Sequence, residues 1–345
     1  MDMTNLRYID GTEVAEALTT IDPVARIRDV LALHAKGETV LADEAYLPWT
    51  GPDGSSCRSL NMPGMVRGGG MDGADTIGTK IINASLGNPD RGLPRAAGLV
   101  ILFDPLTGRP RTLMDGTAIS ALRTAAVSMC AVEELAASSD VLALIGCGPL
   151  AAAHLRLLVQ RLPALTEVRL YDRAPERAAG LAASIADDVW VVRVVAGAED
   201  AVRGADIVVP VTTTTEGYVP MAWLTPGAVV VNVSLDDVLP DVVHGAGLVV
   251  VDDWGLVAAD DRRLIGRMLR RGEVYGPHDP KPPRPARRID AELGEILTGI
   301  HPGRTERDEV VLVNPFGMAI ADLAIAAAVE AKVTQGGGGR WLPFG

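Results

Sequence analysis

A chain of 345 residues with 48% hydrophobic side chains carries enough apolar surface for two domains, each with its own core. Its formal charge of −12 argues against nucleic acid, because binding a phosphate polymer depends on a basic face that releases counterions. Its three cysteines, Cys57, Cys130 and Cys147, lack the paired spacing of a disulfide framework or zinc site, and its five histidines never fall at the i, i+4 spacing of a helical metal site, so no metal is expected.

Apolar runs break well short of the roughly 18 to 20 residues that span a bilayer, and no secretory leader is recognisable. A water-soluble protein of the reducing cytoplasm, with no membrane partner, is the expectation. In chain order, Asp10 and Glu13 have capping-box spacing, and Val14, Leu18 and Ile21 begin an apolar stripe, which predicts an opening helix. A second helical pattern covers 24–35 and ends near Gly37. From about 40 to 114 the pattern is strand-like and turn-rich, broken by Gly68 to Gly70 and by Asn88-Pro89-Asp90, with an apolar strand over 99–103. This predicts an α+β domain.

A helix rich in small residues begins at Thr117 and runs to Ala137, after which buried strands and helices alternate. Strands are predicted over 141–145, 167–171, 189–195, 207–211, 228–233 and 248–251, with helices such as 175–185 between them. Near-continuous Val, Ile, Leu and Ala runs of this length indicate a parallel sheet covered on both faces, the doubly wound α/β fold of Rossmann domains. The stretch 276–288 holds five prolines and reads as an exposed loop with extended backbone. A strand at 310–316 and a helix at 319–332 are assigned back to the first domain, and Gly336 to Gly339 is read as a flexible terminal segment. The expected domains are therefore 1–130 with 310–345, and 131–309.

Val141-Leu-Ala-Leu-Ile-Gly146-Cys147-Gly148-Pro149-Leu150-Ala151 places a G-x-G-x-x-A motif where a buried strand turns into a helix. Gly146 permits the tight turn, Gly148 lets backbone approach a pyrophosphate, and Ala151 allows close packing of helix on strand. The next strand ends in Tyr171-Asp172, where a carboxylate can accept hydrogen bonds from an adenosine ribose diol, favouring NAD over NADP. Arg173 is the complication, since a guanidinium there could receive a 2′-phosphate instead.

Arg123 sits on a helix of small and apolar residues, so its guanidinium should be partly buried and needs an anion. Either an internal carboxylate or a substrate carboxylate or cofactor phosphate satisfies it. Lys80 lies among strand-forming residues, where a solvated edge lysine is the plain alternative. Asp236 and Asp237 follow a buried strand at the end where open α/β sheets bind ligands, and they suit either proton transfer or a simple turn.

Four pieces then resemble the ornithine cyclodeaminase and mu-crystallin family over nearly the whole chain. They are Gly78-Thr-Lys80 with Asn88-Pro89 and Gly92-Leu-Pro94; Asp115-Gly116 with Ala121-Leu-Arg123-Thr124-Ala-Ala; Gly146-Cys-Gly148 with Asp172; and Asn314-Pro-Phe-Gly317-Met-Ala319 with Asp322. Gly92-Leu-Pro94-Arg95-Ala96, Asn232-Val-Ser-Leu-Asp236-Asp237, Val251-Asp-Asp-Trp254 and Asn314-Pro-Phe-Gly317 look most like the branch that makes L-2,3-diaminopropionate. The resemblance implies an NAD-dependent dehydrogenase that oxidises N-(2-amino-2-carboxyethyl)-L-glutamate at the glutamate α-carbon, with hydrolysis to 2-oxoglutarate and 2,3-diaminopropionate.

It also implies roles. Lys80 and Arg123 would hold the α-carboxylate, Lys80 and Asp237 would be catalytic with Asp237 as acid/base, and Arg58, Glu44 and Phe316 would contact substrate. Arg95, Arg123 and Thr124 would join Gly146, Gly148, Pro149, Leu150, Asp172 and Arg173 around the cofactor, and Thr212, Val233 and Ser234 would complete that site. Relatives carry a basic residue ahead of the Met62-Pro63 turn where this chain has Asp43-Glu44, and the diaminopropionate branch has one where Asp236 stands. Both changes add negative charge, so either Arg58, Arg67 or Arg95 compensates or the substrate carries a cationic group. A cyclodeaminase or cyclic-imine reductase, and a mu-crystallin-like nucleotide and ligand binder without turnover, remain open on the same fold. A homodimer through the first domain is expected, its sheet edges and small-residue helices suiting a self-complementary interface.

Overall fold

The computed structural model describes residues 5–70, 73–185 and 190–344. The chain divides into two compact units, Met1–Arg123 with Gly317–Gly345 and Thr124–Phe316. The first opens with β1 (Asn5–Ile9), α1 (Gly11–Leu18) and α2 (Pro23–Ala35). Asp10 accepts from the backbone N–H groups of Thr12 and Glu13 while the Glu13 carboxylate accepts from the Asp10 N–H, so the capping box expected from the sequence is formed. Then come β2 (Thr39–Leu41), β3 (Ala45–Thr50), β4 (Ser56–Val66), β5 (Thr76–Ser85), β6 (Ala96–Phe103), β7 (Pro110–Asp115) and α3 (Thr117–Leu135). β4 pairs antiparallel with β2, β3 and β5, the ladder continues antiparallel through β6 to β7, and β1 lies parallel to β7.

The second unit contains β8 (Val141–Ile145), α4 (Pro149–Arg161), β9 (Glu167–Tyr171), α5 (Pro175–Ala183), β10 (Val191–Val194), α6 (Ala198–Val202) and β11 (Ile207–Pro210). It continues with β12 (Val229–Val231), α7 (Pro240–Gly245), β13 (Leu248–Val251), α8 (Trp254–Ala259), α9 (Leu264–Arg270), β14 (Val274–Tyr275), β15 (Arg287–Arg288), β16 (Ala291–Glu292), α10 (Leu293–Leu297) and β17 (Val311–Val313). Its sheet is parallel throughout, in the order β10-β9-β8-β11-β12-β17-β13-β16. The order reverses between β8 and β11, the switch point at which such sheets bind nucleotides. Val189, part of the strand expected over 189–195, lies outside the described residues. The proline-rich stretch is a loop closed at its base by the β14–β15 pair and pinned by Asp279, which accepts from the Trp254 indole at 3.1 Å and the Gly276 N–H at 2.9 Å.

The chain then returns to the first unit with α11 (Ala319–Gln335) and β18 (Arg340–Pro343). Two expectations are corrected here. β17 does not belong with the first domain: it lies between β12 and β13, because Val311, Leu312 and Val313 are all buried and suit the interior of a sheet covered on both faces. The boundaries therefore fall at Arg123, inside the continuous helix α3, and at Gly317. Gly336 to Gly339 is likewise no loose tail, since positive φ angles at Gly337 and Gly339 turn the chain so that β18 pairs antiparallel with β1.

Among the described residues no helix is long and apolar enough to cross a membrane. The second unit's core joins Ala143, Val208, Val230, Val249 and Leu312 from five neighbouring strands. Leu312→Ala is expected to lower the unfolding free energy by about 2–5 kcal/mol through lost burial and a residual cavity, which urea denaturation followed by circular dichroism checks.

Candidate active site

Two constellations carry chemistry, one in each unit. In the first, α11 covers one face of the antiparallel sheet and approaches closely because β4 and β5 present glycines to it. A Cβ on Gly64 would lie 3.2 Å from Ala319, and one on Gly78 would lie 2.9 Å from Leu323. That approach brings Asp322 onto Lys80, which pairs across the strands with Met62 and Val100. Lys80 Nζ donates to Asp322 Oδ2 at 2.8 Å and Arg123 Nε to Asp322 Oδ1 at 3.1 Å, all three side chains being buried. Lys80 also reaches the Ser120 hydroxyl at 3.4 Å.

Lys80 is thus no solvated edge lysine, and Arg123 has its internal carboxylate, the two cations sharing one carboxylate at hydrogen-bond distance. Burial lowers the Lys80 ammonium to about 8; the Arg123 charge pushes the same way, and Asp322 and Glu44 oppose it. Glu44, half-buried between β2 and β3, is therefore within electrostatic reach of Lys80. Gly317, at φ +103°, leaves room for the Arg123 fork, since a Cβ there would sit 3.0 Å from Nη1. Arg58 lies on the Lys80 face of the sheet, two pleats from Met62 along β4. Arg95, just ahead of β6, is half-buried, its guanidinium has no hydrogen-bond or ion-pair partner among the described residues, and burial lowers its pKa. Asp322 is the residue whose role sequence reasoning missed; a lone acid among Ile320, Ala321 and Leu323 was the available signal.

In the second unit the fingerprint takes up the expected geometry. Gly146 follows β8 at φ +87°, with Val211 O only 3.0 Å from where a Cβ would be, so no larger residue fits. Gly148 is the N-cap of α4 and faces open space, with no side chain capping the helix, so the first N–H groups, from Leu150 on, are left for an anion beside exposed Pro149. Asp172 accepts from Cys147 N at 2.7 Å and Ala174 N at 2.9 Å, tying the glycine turn to the end of β9. Each carboxylate oxygen retains a lone pair for a ribose hydroxyl. Arg173 is exposed. These features fit a dinucleotide.

At the carboxyl ends of β11 and β12, Asp237 is fully buried, and its Oδ1 accepts from the hydroxyls of Thr212 at 2.7 Å and Tyr218 at 2.8 Å. Its Oδ2 has no hydrogen-bond partner. Burial raises this carboxyl above the usual aspartate range, the hydroxyls of Thr212, Ser234 and Tyr218 pull the other way and the Asp236 charge adds to the rise, while burial beside Asp237 pushes the Tyr218 phenol up. Ser234 Oγ accepts from Thr212 N at 2.6 Å, and Val233 beside it is half-buried. Asp236 faces away from this oxygen chemistry: Arg263 and Arg267 take its carboxylate at 3.2 and 3.0 Å. The negative charge expected of Asp236 is therefore answered within the unit, a correction that sequence could not supply because the arginines lie 27 and 31 residues away. Phe316 packs against the sheet core and donates its N–H to Asp252 at 2.7 Å, while Thr124 continues α3 and its carbonyl accepts from Ser128.

The family model of the ornithine cyclodeaminase/mu-crystallin family matches residues 62–337, and the chain belongs to that family. The N-((2S)-2-amino-2-carboxyethyl)-L-glutamate dehydrogenase of Staphylococcus aureus is 31% identical over 317 residues, 90% of each chain. Among solved structures, CmnK is 36% identical with a TM-score of 0.89, covering 98% of each chain. An archaeal alanine dehydrogenase dimer with bound NAD is 26% identical with a TM-score of 0.82, covering 99% of this chain and 100% of that one. With the doubly wound sheet, the glycine turn and Asp172, this makes the chain an NAD-dependent oxidoreductase.

The depressed Lys80 has a consequence for stability. The folded chain releases this proton near pH 8 and the unfolded chain near 10.5. Between those values the unfolded state binds more protons, so this residue makes stability rise with pH across the window. Lys80→Met is expected to remove that rise, and urea unfolding of both proteins below, within and above the window would reveal it; equal slopes would refute the assignment.

Proposed function

We propose that this NAD-dependent oxidoreductase acts on N-(2-amino-2-carboxyethyl)-L-glutamate, oxidising the glutamate α-carbon and hydrolysing the resulting imine to L-2,3-diaminopropionate and 2-oxoglutarate. The observation that carries the reading is the charge arrangement. Asp236 is neutralised by its arginines, while Lys80 and Arg123 keep one carboxylate between them and Arg95 has no acidic partner among the described residues. That balance suits a substrate with several carboxylates, and Glu44 suits its primary ammonium. The identity to the staphylococcal dehydrogenase supports the same choice.

When bound, NAD supplies the two-electron oxidant. The start of α4, with Gly146, Gly148, Pro149 and Leu150, would hold its pyrophosphate and Asp172 its ribose, with Arg95, Arg123, Thr124, Arg173, Thr212, Val233 and Ser234 completing the site and the Asp172 carboxylate making NADP the poorer fit. Lys80 and Arg123 receive the α-carboxylate and thereby orient the Cα–H bond, a positioning contribution. Arg58 receives a further carboxylate, and Phe316 offers an apolar wall. Asp237 removes a proton from the water that attacks the imine carbon and returns it to the amine nitrogen as the C–N bond breaks.

The uncovered face of the first unit's sheet points to a homodimer. Leu47, Trp49 and Leu99 are 63%, 45% and 41% exposed, and Ile77, Ile81, Ile101 and Leu113 on the same face are half-buried. The expected edges are less suited, because β18 covers β1. An apolar sheet face of this kind calls for a partner. Sedimentation is expected to show a dimer for the native chain and a monomer for Leu99→Asp.

Mixing protein and NAD with N-(2-amino-2-carboxyethyl)-L-glutamate, ornithine or lysine separately tests the reaction. NADH and 2-oxoglutarate are expected from the first alone, with a loss of about 10²–10⁴ in kcat for Asp237→Asn. Proline or pipecolate without net NADH would instead mean that Glu44 serves the distal ammonium of a cyclodeaminase substrate.

A further inference from the structure

Two carboxylates stand side by side after β12, and the fold treats them in opposite ways. Asp236, 1% exposed, is gripped by Arg263 Nη1 through Oδ2 and by Arg267 Nη2 through Oδ1. The two arginines are spaced i, i+4 at the start of α9, so one helical turn presents both to a single carboxylate. Arg267 is further held by its other nitrogen on the Arg262 carbonyl. Asp237 has no cation on it among the described residues, only the Thr212 and Tyr218 hydroxyls on one oxygen and nothing on the other.

The backbone between Asn232 and Asp237 explains why the difference matters. Leu235 has φ +75°, the only positive φ outside glycine among the described residues, in a region that residues with a Cβ rarely adopt. Such a turn persists only if its flanks are fixed. On one side Leu235 N donates to Asn232 O at 3.1 Å; on the other the Asp237 carbonyl accepts from Tyr218 N at 2.8 Å and Val219 N at 3.0 Å. Ser234, next to the strained residue, is held as well, donating its N–H to Pro210 O at 3.3 Å and accepting from Thr212 N at 2.6 Å on Oγ; the arginine clamp on Asp236 is a further tie, and it acts on the residue between the strained position and the proposed acid/base.

We propose that Asp236, clamped by Arg263 and Arg267, is a positioning residue for Asp237: it locks the strained turn that aims the Asp237 carboxylate and sets the electrostatic field in which that carboxylate exchanges its proton. The electrostatic part rests on charge and distance. Beside burial, the Asp236 charge disfavours the Asp237 anion, and the two guanidinium groups held on Asp236 offset that charge. The other groups around the cluster do not reverse this balance. Asp260 influences Arg263 but is itself taken by Arg262, and Tyr171 acts on Tyr218 rather than on the carboxylate. The inference rests on Asp237 as the acid/base group of the proposed reaction, but its test needs no substrate.

The titration of Asp237 can be followed by carbon NMR of protein labelled at the aspartate side-chain carboxyls, its resonance identified by its absence from Asp237→Asn. Asp236→Asn removes the anion and leaves both cations, so the midpoint is expected to move down. Arg267→Gln removes a cation and leaves the anion, so it is expected to move up, and Arg267→Lys should return it toward the native position. A purely structural clamp would lower thermal stability in both neutralising variants without opposite titration shifts. Shifts of the same sign, or none, overturn the proposal. Opposite shifts in a protein whose pH–rate profile lacks an Asp237 limb would uphold the clamp and overturn the acid/base reading instead.

Discussion

The first unit depends on one carboxylate. Asp322 is fully buried and holds Lys80 and Arg123, which have no other anion at hydrogen-bond distance among the described residues. Removing such a partner leaves buried charge uncompensated, an effect on the order of 3–5 kcal/mol. The chain of causes runs back to backbone: glycines at 64 and 78 let α11 lie close to the sheet, the helix then delivers Asp322, and Asp322 fixes two cations that would otherwise be expelled or deprotonated.

Burial does the tuning in both units, with opposite signs. It lowers a lysine and raises an aspartate, since in each case the charged form loses its hydration. What distinguishes Asp237 from Asp236 is what surrounds it: hydroxyls, which bond either protonation state, rather than guanidinium groups, which demand the anion. Adjacent residues of the same type therefore divide into one bonded by hydroxyls and one bonded by two guanidinium groups. A solvated pair of aspartates could not be separated in this way.

Much of this was legible in the sequence where the signal is local. The capping box at Asp10 and Glu13, the strands Val141–Ile145, Glu167–Tyr171 and Leu248–Val251, and the turn from Gly146 to Gly148 follow from spacing and apolar runs within a few residues. Lys80 and Arg123 stood out as cations in apolar surroundings, but their shared partner lies 242 and 199 residues away, a distance at which periodicity says nothing. The same limit hid Arg263 and Arg267 behind Asp236. β17 was misassigned because an apolar strand fits any buried sheet, and only pairing tells which one. Tyr218 gave no signal at all, since a tyrosine ahead of a turn is unremarkable until its hydroxyl meets a carboxylate.

The position of α11 and β18 has a consequence for how the chain comes into being. Synthesis proceeds from the N-terminus, and domains generally fold as units as they emerge. The unit spanning Thr124–Phe316 is contiguous and has all its strands before the last residues are made, whereas the other unit waits for Gly317–Gly345. Until that segment arrives, Lys80 and Arg123 lack the Asp322 carboxylate, one side of their sheet lacks its helix, and the β1 edge stands open. The nascent protein is thus a finished nucleotide-binding half trailed by an unfinished partner. Lys80 and Arg123 therefore gain the carboxylate they share only once the helix α11 has been made.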